Sequence, residues 1–322
     1  MSKNVAIACQ GGGSHTAFTA GALARLVPAV CEGGDRLVGL SGASGGAISA
    51  TTAWYALLTE GPAGVYDRVA AFWDDIAAIG LERLGNDVLV NWSRVANAGA
   101  PVPKFSPYNV PAGRWAQREL RDTLEDHIDF AKLPYLVSAD DPRMVVGTVD
   151  INAGEFETFE NGAITSKALL ASAAVPDLFP AVKIQDHWHW DGLFSQNPPI
   201  HELMGTDQAQ KPDELWVIQI NPQNRAGEPK SLVDIADRRN ELSGNLSLNQ
   251  ELRFIEQVNN WVERGLLPDS QFRYTEVRRL QFGRTLSASS KLNRSEGFVE
   301  DLFAAGEERA EDFLAQRRIS TS

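Results

Sequence analysis

The apolar positions of this chain switch between two periods, and glycines stand at the first switches. Asn4 to Cys9 (NVAIAC) is a short apolar run that reads as a buried strand and ends at Gly11-Gly12-Gly13. Helical spacing follows, with Phe18, Leu23, Leu26 and Val27 as its apolar positions and Gly33-Gly34 as its stop. Arg36 to Leu40 is a second short strand. It runs into the glycine-serine turn GLSGASGGAIS, and Ala47 to Leu58 resumes the helical spacing. Strands alternating with helices predict a parallel sheet in an α/β layer fold, in which loops at the carboxyl ends of strands bind ligands.

Further along, residues 64 to 95 read as helices carrying Tyr66, Phe72, Trp73 and Trp92. Four prolines in residues 98 to 113 mark a loop. Gly113 to Phe130 is an amphipathic helix, with Leu120, Leu124 and Ile128 spaced i, i+4, i+8. Met144 to Val149 and Phe156 to Phe159 read as strands about the Asn152-Ala153-Gly154 turn, and Lys167 to Ala174 as a short helix. Val182 to Trp190 reads as a tight strand pair that delivers Asp191. Glu214 to Ile220 is a further core strand. A polar helical region (232 to 266), a strand (272 to 282) and a last helix (297 to 317) complete the pattern. The only shift in composition comes after Pro222, where the chain becomes more polar. It reads as peripheral helices on a single domain spanning residues 1 to 322.

Composition narrows the class. A chain of 322 residues with 43% hydrophobic and 22% charged residues buries a sizeable core. Its formal net charge of −12 argues against nucleic acid or anionic lipid as a stably held partner, while leaving a neutral lipid or ester substrate, and transient membrane contact, open. Cys9 and Cys31 supply neither a disulfide framework nor a metal-ligand cluster. No signal peptide and no membrane-length apolar stretch is evident, so a reducing cytoplasm is the expected location.

Three stretches carry candidate chemistry. Gly42-Ala43-Ser44-Gly45-Gly46 is an unbroken Gly-x-Ser-x-Gly frame between a strand and a helix, the setting of a nucleophile elbow. A serine there lies at a helix N-terminus, where free N–H groups and the helix dipole favour developing negative charge. Gly11-Gly12-Gly13 can converge backbone N–H groups on an oxyanion or act as a tight turn. A dinucleotide fingerprint fits poorly, because Thr16 stands where its last glycine belongs, and no phosphate-loop lysine follows. The third stretch is HWHWDGLFSQNPPI, residues 187 to 200, with the chain's only Asp-Gly. His187 and His189 share one face of that strand and the tryptophans the other. Two readings fit the histidines: structural or exposed residues, or a His189 that borders the site. His15 fits a helix start or a substrate contact, and Ser41 fits packing at a strand end.

In this order the stretches resemble the patatin-like phospholipase family. CQGGGSHTAFTAGAL is similar to its glycine-rich loop and following helix, with Gly21 in register, and GASGGAISA to its elbow. ASAAVPDLFPAV (171 to 182) is similar to its small-residue helix and Pro-x-x-Phe-Pro turn. WDGLFSQNPP is similar to its Asp-Gly-Gly/Ala motif, with Leu193 at the variable place. SPYN (106 to 109) looks like bacterial members. The resemblance runs motif by motif over residues 4 to 222 and loosely over 223 to 322. It implies a three-layer α/β/α fold with a mainly parallel central sheet, and a Ser–Asp dyad that needs no histidine, metal or cofactor. Carried over, Ser44 is the nucleophile, Asp191 the base, and Gly11, Gly12 and Gly13 the oxyanion donors. The family commonly has Arg, Lys or His and then Gly where this chain has His15 and Thr16, which weighs against a phosphate-headgroup preference. The implied activity is hydrolysis of lipid carboxylic esters through an acyl-serine. The alternatives are acyl transfer, thioester or polyester hydrolysis at the same site, and non-catalytic lipid binding.

Overall fold

The structure, a computed structural model, describes residues 2–81, 106–109, 111–205, 207–268, 270–284, 286 and 288–321. Trp92 and most of the proline-rich stretch fall outside them.

The strand β1 (Asn4–Cys9) explains the layering. Val5, Ile7 and Cys9 point into one buried cluster, while Ala6 and Ala8 point into another. A strand covered on both faces must be apolar at every position, which is why NVAIAC does not alternate. On the first face lie helices α1 (Ala17–Glu32), α2 (Ser44–Glu60), α3 (Val65–Leu81) and the last helix, which spans Glu296–Thr321. On the second face lie the short helix His201–Met204 and the long helix Leu232–Glu263, which contributes Leu248, Leu252 and Ile255. The fold is therefore helix, sheet, helix, and the α/β/α expectation holds.

In chain order the remaining strands are β2 (Arg36–Ala43), β3 (Arg143–Asp150), β4 (Glu155–Glu160), β5 (Val182–Ile184), β6 (His187–Asp191), β7 (Glu214–Gln219) and β8 (Glu276–Gln281). The intervening helices are α4 (Pro111–His127), α5 (Leu133–Leu136), α6 (Ser166–Ser172) and α7 (His201–Met204). The long helix is α8 and the last is α9. Eight strands form one sheet in the order β5-β6-β3-β2-β1-β7-β8, with β4 paired to β3. From β3 to β8 the strands are parallel, while β4, β5 and β6 join antiparallel. The chain winds one way from β1 through β2 to β3 and then restarts on the other side of β1 with β7. The carboxyl end of β1 is thus a topological switch point, where open α/β sheets place ligands. The triple glycine lies there.

Two motif features belong to packing. A side chain at Gly21 of α1 would run into the Phe303 carbonyl, and one at Gly306 into the Phe18 carbonyl, so these glycines let α1 and α9 cross backbone to backbone. Leu124 of α4 and Ile128 just after its last residue are fully buried, as their spacing predicts, although the helix ends at His127 and not at Phe130. The helix begins at Pro111, inside the stretch read as loop, because proline suits a first helical turn that needs no N–H. The one-turn helices α5 and α7 are too short to carry a readable period, so the pattern of apolar positions does not predict them.

Candidate active site

One edge of β3 receives two strands in succession. Gly39 to Ala43 of β2 pair with Arg143 to Gly147, running parallel. Asp191, Trp190 and His189 of β6 pair with Thr148, Val149 and Asp150, running antiparallel. The carboxyl ends of β2 and β6 therefore meet head to head at Gly147 and Thr148. Ser44 follows Ala43 directly, so this register brings Ser44 and Asp191 together although 146 residues separate them in the chain.

Ser44 opens α2 with φ 55°, a left-handed conformation that a non-glycine residue adopts only where its surroundings enforce it. Its N–H donates to Ser172 Oγ (2.9 Å), and the Ser172 hydroxyl donates to the Gly147 carbonyl (2.7 Å). Serine 172, on α6, thus ties the elbow to β3. The turn is crowded: a Cβ at Gly46 would lie 2.5 Å from the Cys9 carbonyl oxygen. Ser44 itself is only 7% exposed.

Asp191 is fully buried. Its Oδ1 accepts the Leu193 N–H (2.8 Å), whereas Oδ2 makes no hydrogen bond of ordinary geometry. Burial pushes its pKa up to about 7, against smaller opposing contributions from the Leu193 N–H and from the nearby Ser44 hydroxyl. An unpartnered carboxylate oxygen beside a serine hydroxyl is a proton acceptor without a bound proton donor.

The glycine loop is held from both sides. The Gly11 N–H donates to Asn197 Oδ1 (2.8 Å), and the Gly11 carbonyl accepts from Asn221 Nδ2 (2.9 Å). Gln10 Oε1 accepts from the N–H groups of Ile220 (3.0 Å) and Asn221 (2.8 Å), and its amide donates to Asn245 (2.9 Å). Thr16 Oγ1 donates to the Gly13 carbonyl (2.6 Å). A Cβ at Gly11 would stand 2.6 Å from Ser44 Cβ, so the loop lies directly against the elbow. The three glycines are not equivalent: the Gly11 N–H is committed to Asn197, whereas among the described residues those of Gly12 and Gly13 have no partner. Gly13 has φ 60°, which turns its peptide in a way other residues resist.

The remaining candidates fall away from the dyad. His15 is buried, with Nε2 2.8 Å from Ser290 Oγ and its ring against Phe282 and Phe298. Burial, then the charge of Lys291, hold its pKa down at about 3, so it is neutral near pH 7 and brings no charge to the loop. Ser41 is buried and donates to the Pro199 carbonyl, as packing at a strand end predicts. His187 contacts Asp150 and His189 bonds Glu157 (2.5 Å). Trp73 is core, with its N–H on Ser49 Oγ (3.2 Å), and Trp115 is half-buried. A recess of about 530 Å³ between α1 and α9, lined by Arg25, Tyr66 and Leu314, touches none of the site residues. Ser172, Asn221 and Gln10 were not singled out in the sequence. Ser172, inside the small-residue helix, and Gln10, just before the triple glycine, lie in stretches that could have flagged them.

No curated protein sequence is significantly similar to the chain. Among solved structures it is similar to VipD from Legionella pneumophila, with 12% identity and a TM-score of 0.45 over 98% of this chain and 67% of that one. It is also similar to the ExoU–SpcU complex from the type III secretion system of Pseudomonas aeruginosa, with 14% identity, a TM-score of 0.39, and 98% and 52% coverage. The chain thus spans about two thirds and about half of these two proteins. The sequence profile described as Patatin-like phospholipase matches residues 7–204, which include the glycine loop, the elbow and the Asp191 strand: the chain belongs to the patatin-like phospholipase family.

Proposed function

We propose that the protein is a serine acyl hydrolase acting on lipid carboxylic esters. The observation that carries the reading is the pairing of Ser44 with a buried Asp191 whose Oδ2 lacks a partner and whose pKa is raised to about 7. An ordinary carboxylate, with pKa near 4, is a weak base toward a serine hydroxyl, whereas one near 7 is matched to neutral pH. Ser44 Oγ attacks the acyl carbon while its proton passes to Asp191 Oδ2. The carbonyl electrons move onto oxygen, and the N–H groups of Gly12 and Gly13 receive that oxyanion. Gly11 serves as the anchor that aims them, through Asn197. The intermediate collapses by breaking the ester C–O bond, and Asp191 returns its proton to the leaving alkoxide. Water then attacks the acyl-serine with Asp191 again taking a proton, and the acid is released.

Apolar surface supports an acyl substrate. Leu178 is exposed beside Asp177, which pairs with Arg239 of α8, and Ile235, Leu242 and Leu246 of the same helix are exposed as well. Among the described residues no helix is long and apolar enough to cross a membrane. The two free thiols, one buried and one half-buried, suit the cytoplasmic location we read for it, and we read the chain as one unit. The test is release of fatty acid from neutral and zwitterionic lipid vesicles by wild type and by Asp191→Asn. The reading expects hydrolysis reduced by about 10²–10⁴-fold in the variant. Equal rates would refute the base, and no turnover of any ester by folded wild type would leave lipid binding as the function.

A further inference from the structure

Two residues before Asp191, β6 carries a second group of donors that the dyad does not use. β3 is the middle strand there. His189 is the partner of Asp150 across one edge, and Glu157 of β4 is the partner of Thr148 across the other. Alternate residues share a face, so Asp150, Glu157 and His189 project to the same side of the sheet. One donor atom from each, two carboxylate oxygens and an imidazole nitrogen, lies within 4.8 Å of the others. The side chains of His189 and Asp150 are 1% and 8% exposed, and that of Glu157 is 41% exposed. His187 Nδ1 also contacts Asp150.

Asp150 is held in place: its Oδ1 accepts the N–H groups of Asn152 (2.8 Å) and Ala153 (3.0 Å), and its Oδ2 contacts His187. Among the described residues no lysine or arginine pairs with Asp150 or Glu157, and a histidine is the ion-pair partner of each. The other ring nitrogen of His189, Nδ1, is buried with no hydrogen-bond partner.

We infer that Asp150, Glu157 and His189 form a binding site for a divalent first-row transition ion of the zinc type. His187 orients the Asp150 carboxylate, and water from the Glu157 side completes the ion's shell. The donor set decides the class: imidazole with carboxylates suits zinc and its neighbours, whereas calcium and magnesium take oxygen alone. Bonds of about 2.0–2.2 Å put tetrahedral donors about 3.3 Å apart, and the half-exposed Glu157 can swing that far. Such an ion would join β3, β4 and β6 two residues from Asp191. It would fix the strand that presents the base and take no part in the ester chemistry.

The test strips the full chain with a chelator and then titrates zinc chloride, reading bound metal by elemental analysis and stability by thermal melting. The expected result is one zinc per chain and a Tm rise of several degrees, with no rise in calcium chloride. Glu157→Gln, which changes a half-exposed side chain and leaves the fold intact by circular dichroism, should weaken zinc binding at least tenfold. His187→Gln should weaken it by a smaller factor than Glu157→Gln does, as an orienting group does. Wild type that binds no zinc, or zinc bound equally well by wild type and Glu157→Gln, overturns the site.

Discussion

In the proposed mechanism Asp191 is the residue on which the chemistry turns, and its burial has two consequences of opposite sign. Only the ionised carboxylate can take a proton from Ser44, so kcat/KM should rise about tenfold per pH unit up to about 7 and then level off. A pH profile flat from 5 to 8 would contradict the reading. For stability the sign reverses. A carboxyl whose pKa is higher folded than unfolded favours the fold fully below its ordinary value near 4, and loses that contribution as pH rises through about 7. The unfolding free energy of Asp191→Asn relative to wild type should therefore increase from pH 5 to pH 8, by an amount on the order of a few kcal/mol. Neither shift is visible in the sequence, where Asp191-Gly192 reads equally well as a turn. The resemblance alone picks out this aspartate as the proposed base. Its environment was not, because burial depends on β6 being capped by segments distant in the chain.

At the scale of elements, the site is a meeting of strand ends, and the register of β3 sets it. The glycine loop, the elbow and the strand pair leading to Asp191 could each be read locally, since turn glycines and apolar runs are short-range signals. Which of them touch could not, because an antiparallel β6 joining an otherwise parallel sheet is a long-range choice. The unequal roles of Gly11, Gly12 and Gly13 arise in the same way, from an asparagine 186 residues away. Asn197→Ala should leave the Gly11 N–H unpartnered and the loop poorly aimed. We expect kcat to fall by one to two orders of magnitude with little change in KM, as for loss of an interaction made mainly in the transition state. Ser172→Ala should remove the support of the Ser44 N–H and cost about 1–3 kcal/mol in denaturant unfolding. The paired histidines of β6 were noticed for their alternation, but their acidic partners on β3 and β4 become visible only once the strands are paired.

At the scale of the molecule, the polar region after residue 222 closes the sheet. β8 pairs with β7, and α9 crosses α1 at Gly21 and Gly306. The joint between the chain's two ends is a buried ion cluster. Glu214, fully buried on β7, accepts from Lys3 Nζ (2.5 Å), Arg317 Nε (2.7 Å) and Trp216 Nε1 (2.8 Å). Arg317 reaches on to Asp35 (2.6 Å). Burial alone would raise the Glu214 pKa, but these donors outweigh it and hold it down at about 2. A carboxyl lowered in this way contributes stability at neutral pH that is lost as pH falls from its ordinary value near 4.5 toward 2. Glu214→Ala should cost about 3–5 kcal/mol, because it removes the buried carboxylate that the half-buried Lys3 and Arg317 pair with, and should blunt the acid limb of the stability curve. A change below 1 kcal/mol would show that the joint is ornamental. The mixture of charges in the sequence around residues 214 and 317 gave no hint of this pairing.

The most direct test of the Ser44–Asp191 pair is the intact mass of wild type, Ser44→Ala and Asp191→Asn after reaction with a fluorophosphonate, timed across pH 5 to 8. The account predicts one adduct on wild type, formed faster as pH rises through about 7, absent in Ser44→Ala and slowed by at least 100-fold in Asp191→Asn. An adduct that persists in Ser44→Ala, or a wild-type rate matched by Asp191→Asn, would contradict it.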